Sequence, residues 1–265
     1  MNKIKSFLKK LFLKVFQLDL IKRPIDDIDY RNQRMILALS FFKLKVLSYE
    51  HKQQCDFINY CRINAIDSYS QNFQDLFVLY YLNEKKSGFF IEFGATNGID
   101  LSNTLLLESK YSWNGILAEP AKSFHSDLRR NRGVIIDNRC VWNKSGSKIK
   151  FTEFVGTGLS GIKSNLFNKS NDKLQQYEVE TVNLTDLLIE KNAPNSIDFL
   201  SIDTEGTEFE ILQNFDFTKF QIKIIIVEHN YKSVRNKLFS LLTDKGYTRV
   251  FKNLSFQDDW YVLNN

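Results

Sequence analysis

The run Lys223-Ile-Ile-Ile-Val-Glu-His-Asn230 limits the folds open to this chain more than any other. Its apolar residues Ile224, Ile225, Ile226 and Val227 leave no polar side for water. A strand of that kind must be covered on both faces, as the strands of parallel sheets are. Shorter runs of the same character lie at 88–94, 115–120, 134–137 and 197–203. The stretches 101–110, 121–131, 207–214 and 232–244 between and after them read as helices. Strands alternating with helices predict an α/β fold with a mostly parallel sheet and helices on both faces. Residues 76–82 read as a helix behind a polar cluster, Ser70, Gln71, Gln74 and Asp75. The third strand is expected to run on to Trp142. Residues 148–154 and 179–182 read as strands outside the alternation, 185–191 as a helix, and 247–251 with 260–263 as a closing strand pair.

In an open parallel sheet, ligands bind outside the carboxyl ends of the strands. That edge collects Glu92, Gly94, Gly98, Glu119, Asp137, Asp203, Glu205, Glu228 and His229. A helix cap explains one such acid, but not acids at the ends of four strands. The first loop is Gly94-Ala-Thr-Asn-Gly98, which lacks the G-x-G-x-x-G spacing of a dinucleotide cradle. Glu92 stands before it, placed to face an ammonium group while backbone N–H groups face a carboxylate. Glu119 ends the second strand, where an acid can accept both hydroxyls of a ribose.

These segments resemble the FkbM family of S-adenosylmethionine-dependent methyltransferases over about residues 69–263. The resemblance runs through Ser70-Gln-Asn-Phe-Gln-Asp75, Phe90-Ile-Glu-Phe-Gly-Ala-Thr-Asn-Gly98, Leu101-Ser-Asn-Thr104, Trp113-Asn-Gly115, Glu119-Pro120, Leu159-Ser-Gly161 and Ile197-Asp-Phe-Leu-Ser-Ile-Asp-Thr-Glu-Gly206 with Glu208. It departs at Phe73, where such segments often carry glycine. It implies a class I methyltransferase (Rossmann-like) sheet of about seven strands, the last antiparallel. It also implies an oxygen acceptor, commonly on a sugar, glycan or natural product. Carried onto this chain, Glu92, Gly94, Ala95 and Gly98 would border the methionine part of the cofactor, and Glu119 its ribose. Asp137 or Asn138 would lie near the adenine, and Asp203 and Glu205 would face the methyl group and acceptor.

A hydroxyl acceptor loses its proton on methylation, so a base is expected beside it. Asp203, Glu205, Glu228 and His229 are the candidates, His229 because its ordinary pKa lies near neutrality. Asp203, Glu228 and His229 could instead hold a divalent ion. Glu208 reads as a helix first-turn acid, 156–161 as a lid or acceptor loop, and Trp260 as a core aromatic.

The net charge of +5 comes mostly from residues 1–23, where Lys3, Lys5, Lys9, Lys10, Lys14, Lys22 and Arg23 stand against Asp19 alone. The rest is near neutral, which argues against a nucleic-acid partner. Residues 3–18 read as a basic amphipathic helix suited to an anionic membrane surface. No run reaches the ~20 apolar residues of a membrane span, and no signal peptide is apparent. Cys55, Cys61 and Cys140 suit neither a disulfide framework nor a zinc pattern. The expected arrangement is a helical region at 1–66 and a methyltransferase domain at 67–265. The expected setting is cytoplasmic, peripheral to the inner face of a membrane. The expected activity is O-methylation of a sugar or glycan. The competing classes are a nicotinamide-dependent sugar oxidoreductase or epimerase, a nucleic-acid methyltransferase and a catalytically dead binding protein. The acceptor's identity and the oligomeric state are not written in the sequence.

Overall fold

A computed structural model describes residues 52–155, 160–162 and 174–264. The amphipathic segment 3–18, the rest of the chain before 52 and most of the loop 156–173 lie outside the described residues. The strands are β1 (Phe89–Phe93), β2 (Asn114–Ala118), β3 (Ile135–Asp137), β4 (Cys140–Trp142), β5 (Lys148–Phe154), β6 (Leu174–Asn183), β7 (Ser196–Ile202), β8 (Gln221–Glu228), β9 (Tyr247–Val250) and β10 (Asp258–Leu263). The helices are α1 (Lys52–Asn64), α2 (Gln74–Tyr81), α3 (Leu105–Tyr111), α4 (His125–Asn131), α5 (Leu184–Glu190), α6 (Glu208–Gln213) and α7 (Val234–Asp244). One seven-stranded sheet runs β3-β2-β1-β7-β8-β10-β9. Its strands are parallel except β10, which opposes both neighbours. The count of seven, the mostly parallel pairing and the antiparallel last strand are as expected.

The period-two alternation of strand side chains sorts the core into two layers. Phe90, Phe199, Ile224, Ile226 and Trp260 face α1 to α4. Ile91, Phe93, Leu200, Ile202, Ile225 and Val227 face α5 to α7. Trp260 and Tyr261 are fully buried, as expected for a closing core strand. Phe57 and Cys61 of α1 pack in the first layer, with the Phe57 ring 5.2 Å from Phe251. Residues 52–64 therefore share the core of the sheet. Phe73 holds the left-handed backbone (φ 62) that glycine adopts without cost, and offsets the strain by burying its ring. Among the described residues no helix is long and apolar enough to cross a membrane.

Several elements differ from expectation; β6 starts at Leu174 and not at 179, and α4 starts at His125 and not at 121. The third strand stops at Asp137, and Cys140–Trp142 leaves to form a second sheet, β4-β6-β5. Asp137 makes the break: its carboxylate takes the Arg139 N–H at 2.9 Å, the Arg139 guanidinium at 2.8 Å and Lys191 at 3.1 Å, folding the chain back at its edge. The helix expected from 101 begins only at Leu105. Residues 102–104 are spent instead on Glu92.

Glu92 points from β1 toward α3 and α4, and is 3 % exposed. Its carboxylate accepts the Asn103 N–H at 2.6 Å, the Thr104 hydroxyl at 2.6 Å and the Ser102 hydroxyl at 3.1 Å. The fully buried Arg132 stands 3.6 Å away and donates to Glu108 (2.6 Å), the Gly98 carbonyl (3.1 Å), Ser102 (3.1 Å) and Thr104 (2.8 Å). Removing one partner of a buried ion pair leaves the other charge uncompensated. Arg132→Met is expected to cost about 3–5 kcal/mol of unfolding free energy, read as a lower urea midpoint at unchanged slope. A loss under about 1 kcal/mol would show that Glu92 is satisfied by its hydroxyl and amide donors alone.

Candidate active site

The carboxyl ends of β1, β2 and β7 are drawn together by backbone bonds beyond the strands. Gly94 N–H donates to the Ala118 carbonyl at 3.1 Å and Asp203 N–H to the Phe93 carbonyl at 3.4 Å. Gly94 has φ +77, and a Cβ there would lie 2.2 Å from the Asp203 carbonyl oxygen. Only glycine fits where the two loops cross.

A cleft opens over this crossing. Phe93, Gly94, Thr96, Ala118, Glu119 and Pro120 line it on one side, with Asp203 and Thr204 beside them. Phe124, Cys140, Val141, Phe151 and Ile162 form an apolar wall opposite. Glu119 is the buried polar group within it, 4 % exposed. Its oxygens accept the Thr96 N–H and the Ala121 N–H, each at 2.8 Å. A carboxylate oxygen has a second lone pair, so each remains able to take a hydroxyl donor. Burial pushes the Glu119 pKa up to about 7; the two amides oppose that, while Glu153 and Asp203 add to it. A slot with an apolar wall and a carboxylate able to take two hydroxyls fits the adenosine part of S-adenosylmethionine.

Several expected ligands are not in this cleft. Glu92 is occupied by 102–104 and Arg132 behind the sheet, so it does not face an ammonium group. Ala95 is buried in the first core layer. Gly98 packs against Leu128 and Arg132, where a Cβ would lie 2.7 Å and 2.6 Å from their side chains. Asp137 is held to about 2 by Arg139 and Lys191, whose bonds outweigh its burial, and serves as a latch to α5. Asn138 supports Glu119 from behind. It bonds His125 Nδ1 at 3.2 Å, and His125 Nε2 bonds the Glu119 carbonyl at 3.0 Å. Burial lowers the His125 pKa, so the neutral ring accepts from Asn138 and donates to Glu119. The missed lining residues Phe124, Cys140, Val141, Phe151 and Ile162 carry no motif, while Thr96 lies inside the Gly94–Gly98 loop and meets Glu119 through its backbone N–H. Apolar side chains in strands and helices read as core unless the fold leaves a gap beside them.

Beside the cleft Asp203, Glu205 and Glu228 bring carboxylate oxygens within 4.8 Å of one another. Asp203 follows β7, Glu228 ends β8, and Glu205 holds a left-handed backbone (φ 57) that turns it toward them. Glu208 shapes that turn by accepting the Thr204 and Gly206 N–H groups at 3.1 and 2.8 Å. It is 2 % exposed and works as a loop anchor, a larger role than a first-turn helix acid. Asp203 is accessible from the cleft, yet protein on its other sides strips it of bulk water. Burial and the neighbouring Glu208 raise its pKa, while a bond to Glu228 opposes the rise. Glu205 and Glu228 are raised by burial and then by the neighbouring carboxylates. Lys232 is the cation that lowers Asp203 and Glu205.

His229 does not join this cluster. Its Nδ1 accepts the Tyr231 N–H at 2.9 Å, and its Nε2 donates to the Asp258 carbonyl at 3.0 Å. Burial lowers its pKa, and it is 2 % exposed. With both nitrogens engaged it is neither a free base nor a metal ligand. It pins the turn after β8 to β10. The 70–75 segment reaches the same corner: Gln74 donates to Asp258 at 2.8 Å and Gln257 to Gln71 at 2.8 Å. Asp75 is buried as the centre of its own turn, taking both Ser68 and Ser70 hydroxyls.

The sequence matches the model of the methyltransferase FkbM domain over residues 92–248. Two solved structures align at low identity. One is precorrin-6y C5,15-methyltransferase from Geobacter metallireducens, with 11% identity over 71% of this chain and 85% of that one, at a TM-score of 0.37. The other is a putative RNA methyltransferase from Pyrococcus horikoshii, with 14% identity over 68% and 69% of the two chains, at a TM-score of 0.35. No curated protein matches the sequence significantly. The family match spans more than half of the chain and contains Gly94, Glu119 and the Asp203 cluster, so this protein belongs to the FkbM methyltransferase family and is an S-adenosylmethionine-dependent methyltransferase.

Proposed function

We propose that this enzyme methylates a hydroxyl group of a sugar or glycan, with Asp203 as the general base. The meeting of Asp203, Glu205 and Glu228 beside the cleft carries this reading. S-adenosylmethionine, when bound, supplies a methyl group made electrophilic by its sulfonium. Gly94, Thr96, Glu119 and the apolar wall would hold it. Most of the remaining task is alignment of the acceptor and removal of its proton. A carboxylate whose proton affinity is raised by burial and like-charged neighbours is a stronger base than one in water. Asp203 is the member open to the cleft; burial and Glu208 raise it, and its own charge in turn raises Glu205 and Glu228. A group of acids with one nearby lysine repels phosphate, which favours an uncharged sugar over a nucleic acid. The family sets aside a nicotinamide enzyme, and the missing third glycine agrees with that. The acids Glu119, Asp203 and Glu205 at the cleft speak against a dead binding protein.

The same three carboxylates are a donor set suited to a hard divalent cation. Methyl transfer unchanged by a chelator assigns them to proton transfer; loss restored by Mg²⁺ assigns them to a metal. Residues 3–18 would hold the enzyme at an anionic membrane surface, where lipid-linked glycan precursors can be reached.

Asp203→Asn is expected to cut transfer of labelled methyl to a sugar acceptor about 100- to 10,000-fold while cofactor binding persists. Near-normal turnover would place the base elsewhere, and label found on nitrogen would overturn the hydroxyl assignment. Activity should rise with pH as the cluster ionises. Glu208→Gln removes the like charge that, after burial, raises Asp203, so the acid limb of the pH–rate profile should move to lower pH; an unmoved limb would leave burial alone as the cause. In flotation with anionic vesicles the full chain should rise with the lipid and a chain starting at residue 25 should not. Equal behaviour would remove the membrane role.

A further inference from the structure

The second sheet reaches across to the segment that carries Glu119. Three successive amides after Pro120 are each held by a different side chain. Ala121 N–H donates to Glu119 at 2.8 Å, Lys122 N–H to the Tyr177 hydroxyl at 3.0 Å, and Ser123 N–H to Glu153 at 3.0 Å. Glu153 comes from β5 and Tyr177 from β6, and the Tyr177 hydroxyl donates to the second oxygen of Glu153. Glu153 is 1 % exposed. Its burial favours the acid form, but the Ser123 and Tyr177 bonds outweigh this and keep it ionised. The Lys122 ammonium lies 4.3 Å from the centre of the Tyr177 ring and covers it.

We infer that Glu153 and Tyr177 are positioning residues for the cofactor, clamping the segment that orients Glu119 and so setting how tightly the nucleoside is held. The inference rests on the reading that Glu119 takes the ribose hydroxyls. Glu119 is aimed by two amides, and one of them belongs to the clamped segment. Without the clamp that amide is free to turn away. The second sheet is then part of the cofactor site, although its clamping residues do not line the cleft.

The arrangement also has an electrostatic signature. Glu119 faces Glu153 from β5, Tyr177 from β6, Cys140 from β4 and Asp203 beyond β7, and His125 bonds its carbonyl. The ionised carboxylate is the better acceptor for ribose hydroxyls. Cofactor binding should therefore tighten as pH rises through about 7, where Glu119 ionises. Glu153 contributes to that high midpoint by like charge.

The test is calorimetric titration of full-length protein with S-adenosylhomocysteine across this pH range, for wild type, Glu119→Ala, Glu153→Gln and Tyr177→Phe. Glu119→Ala should weaken binding at least about tenfold and abolish the pH dependence. Tyr177→Phe removes the bridging hydroxyl and leaves the charge, so affinity should fall about tenfold with the midpoint in place. Glu153→Gln keeps the shape and removes the charge, so affinity should fall and the midpoint should move to lower pH. Loss of affinity in Glu119→Ala with wild-type affinity and midpoint in both clamp variants would overturn the positioning role. Wild-type binding by Glu119→Ala would instead overturn the ribose assignment beneath it. The two variants differ from wild type by one polar group each, and a plain packing defect would not shift the pH midpoint.

Discussion

A carboxylate buried in the centre of a sheet has to be neutralised where it stands. Glu92 meets that constraint by recruiting the Ser102 and Thr104 hydroxyls, the Asn103 amide and Arg132. The consequences spread outward. Residues 102–104 cannot be helix, so α3 starts at Leu105. Arg132 ties the end of α4 to Gly98, which has no room for a side chain. Asn103 reaches across to Ser201 on β7 at 2.9 Å. The loop after β1 is thereby held from behind, and its front is free to border the cleft. Glu92 acts on the cleft only through the rigidity of that loop.

The opposite tendency appears at the front. Asp203, Glu205 and Glu228 face one another with Lys232 as the nearby cation, an arrangement that costs stability and raises their proton affinity. Some of the backbone strain of the described residues lies at the same edge. Thr96, Glu205, Asn230 and Tyr231 follow three different strands, and all have positive φ without being glycine. Strain of this kind persists where surrounding structure over-determines it, and the anchors are visible: Glu119 on the Thr96 amide, Glu208 on the 204–206 turn, His229 on the Tyr231 amide. Each anchor is a buried polar side chain behind a strained, more open one. The division explains why so many acids crowd this edge: some hold the loops and others face the cleft.

That division was not legible in the chain. An acid at a strand end looks the same whether it points into a cleft or into a helix. The pattern predicts Glu119 and Asp203 as ligand-facing, and they border the cleft. It predicts the same of Glu92, Asp137 and His229, which are consumed by Arg132, by Arg139 with Lys191, and by two backbone groups. The partners that consume them are distant in sequence or carry no pattern. The apolar wall is equally hidden, because Phe151 belongs to a second sheet that forms only when the chain turns off at Asp137, and Ile162 packs against that sheet. The seven-stranded sheet was far more legible. Its strands announce themselves by local composition, and its topology follows from a few rules of connection.

The sequence alone determined that the chain alternates apolar strands with helices, that its first loop is no dinucleotide cradle, and that acids gather at the carboxyl edge. These properties depend on residue type and spacing, which are local. Only the tertiary structure decided which acids remain available, because availability depends on what lies opposite each carboxylate after folding. It also decided that a small sheet built from 140–183 would brace Glu119, a contact between segments that share no local signal.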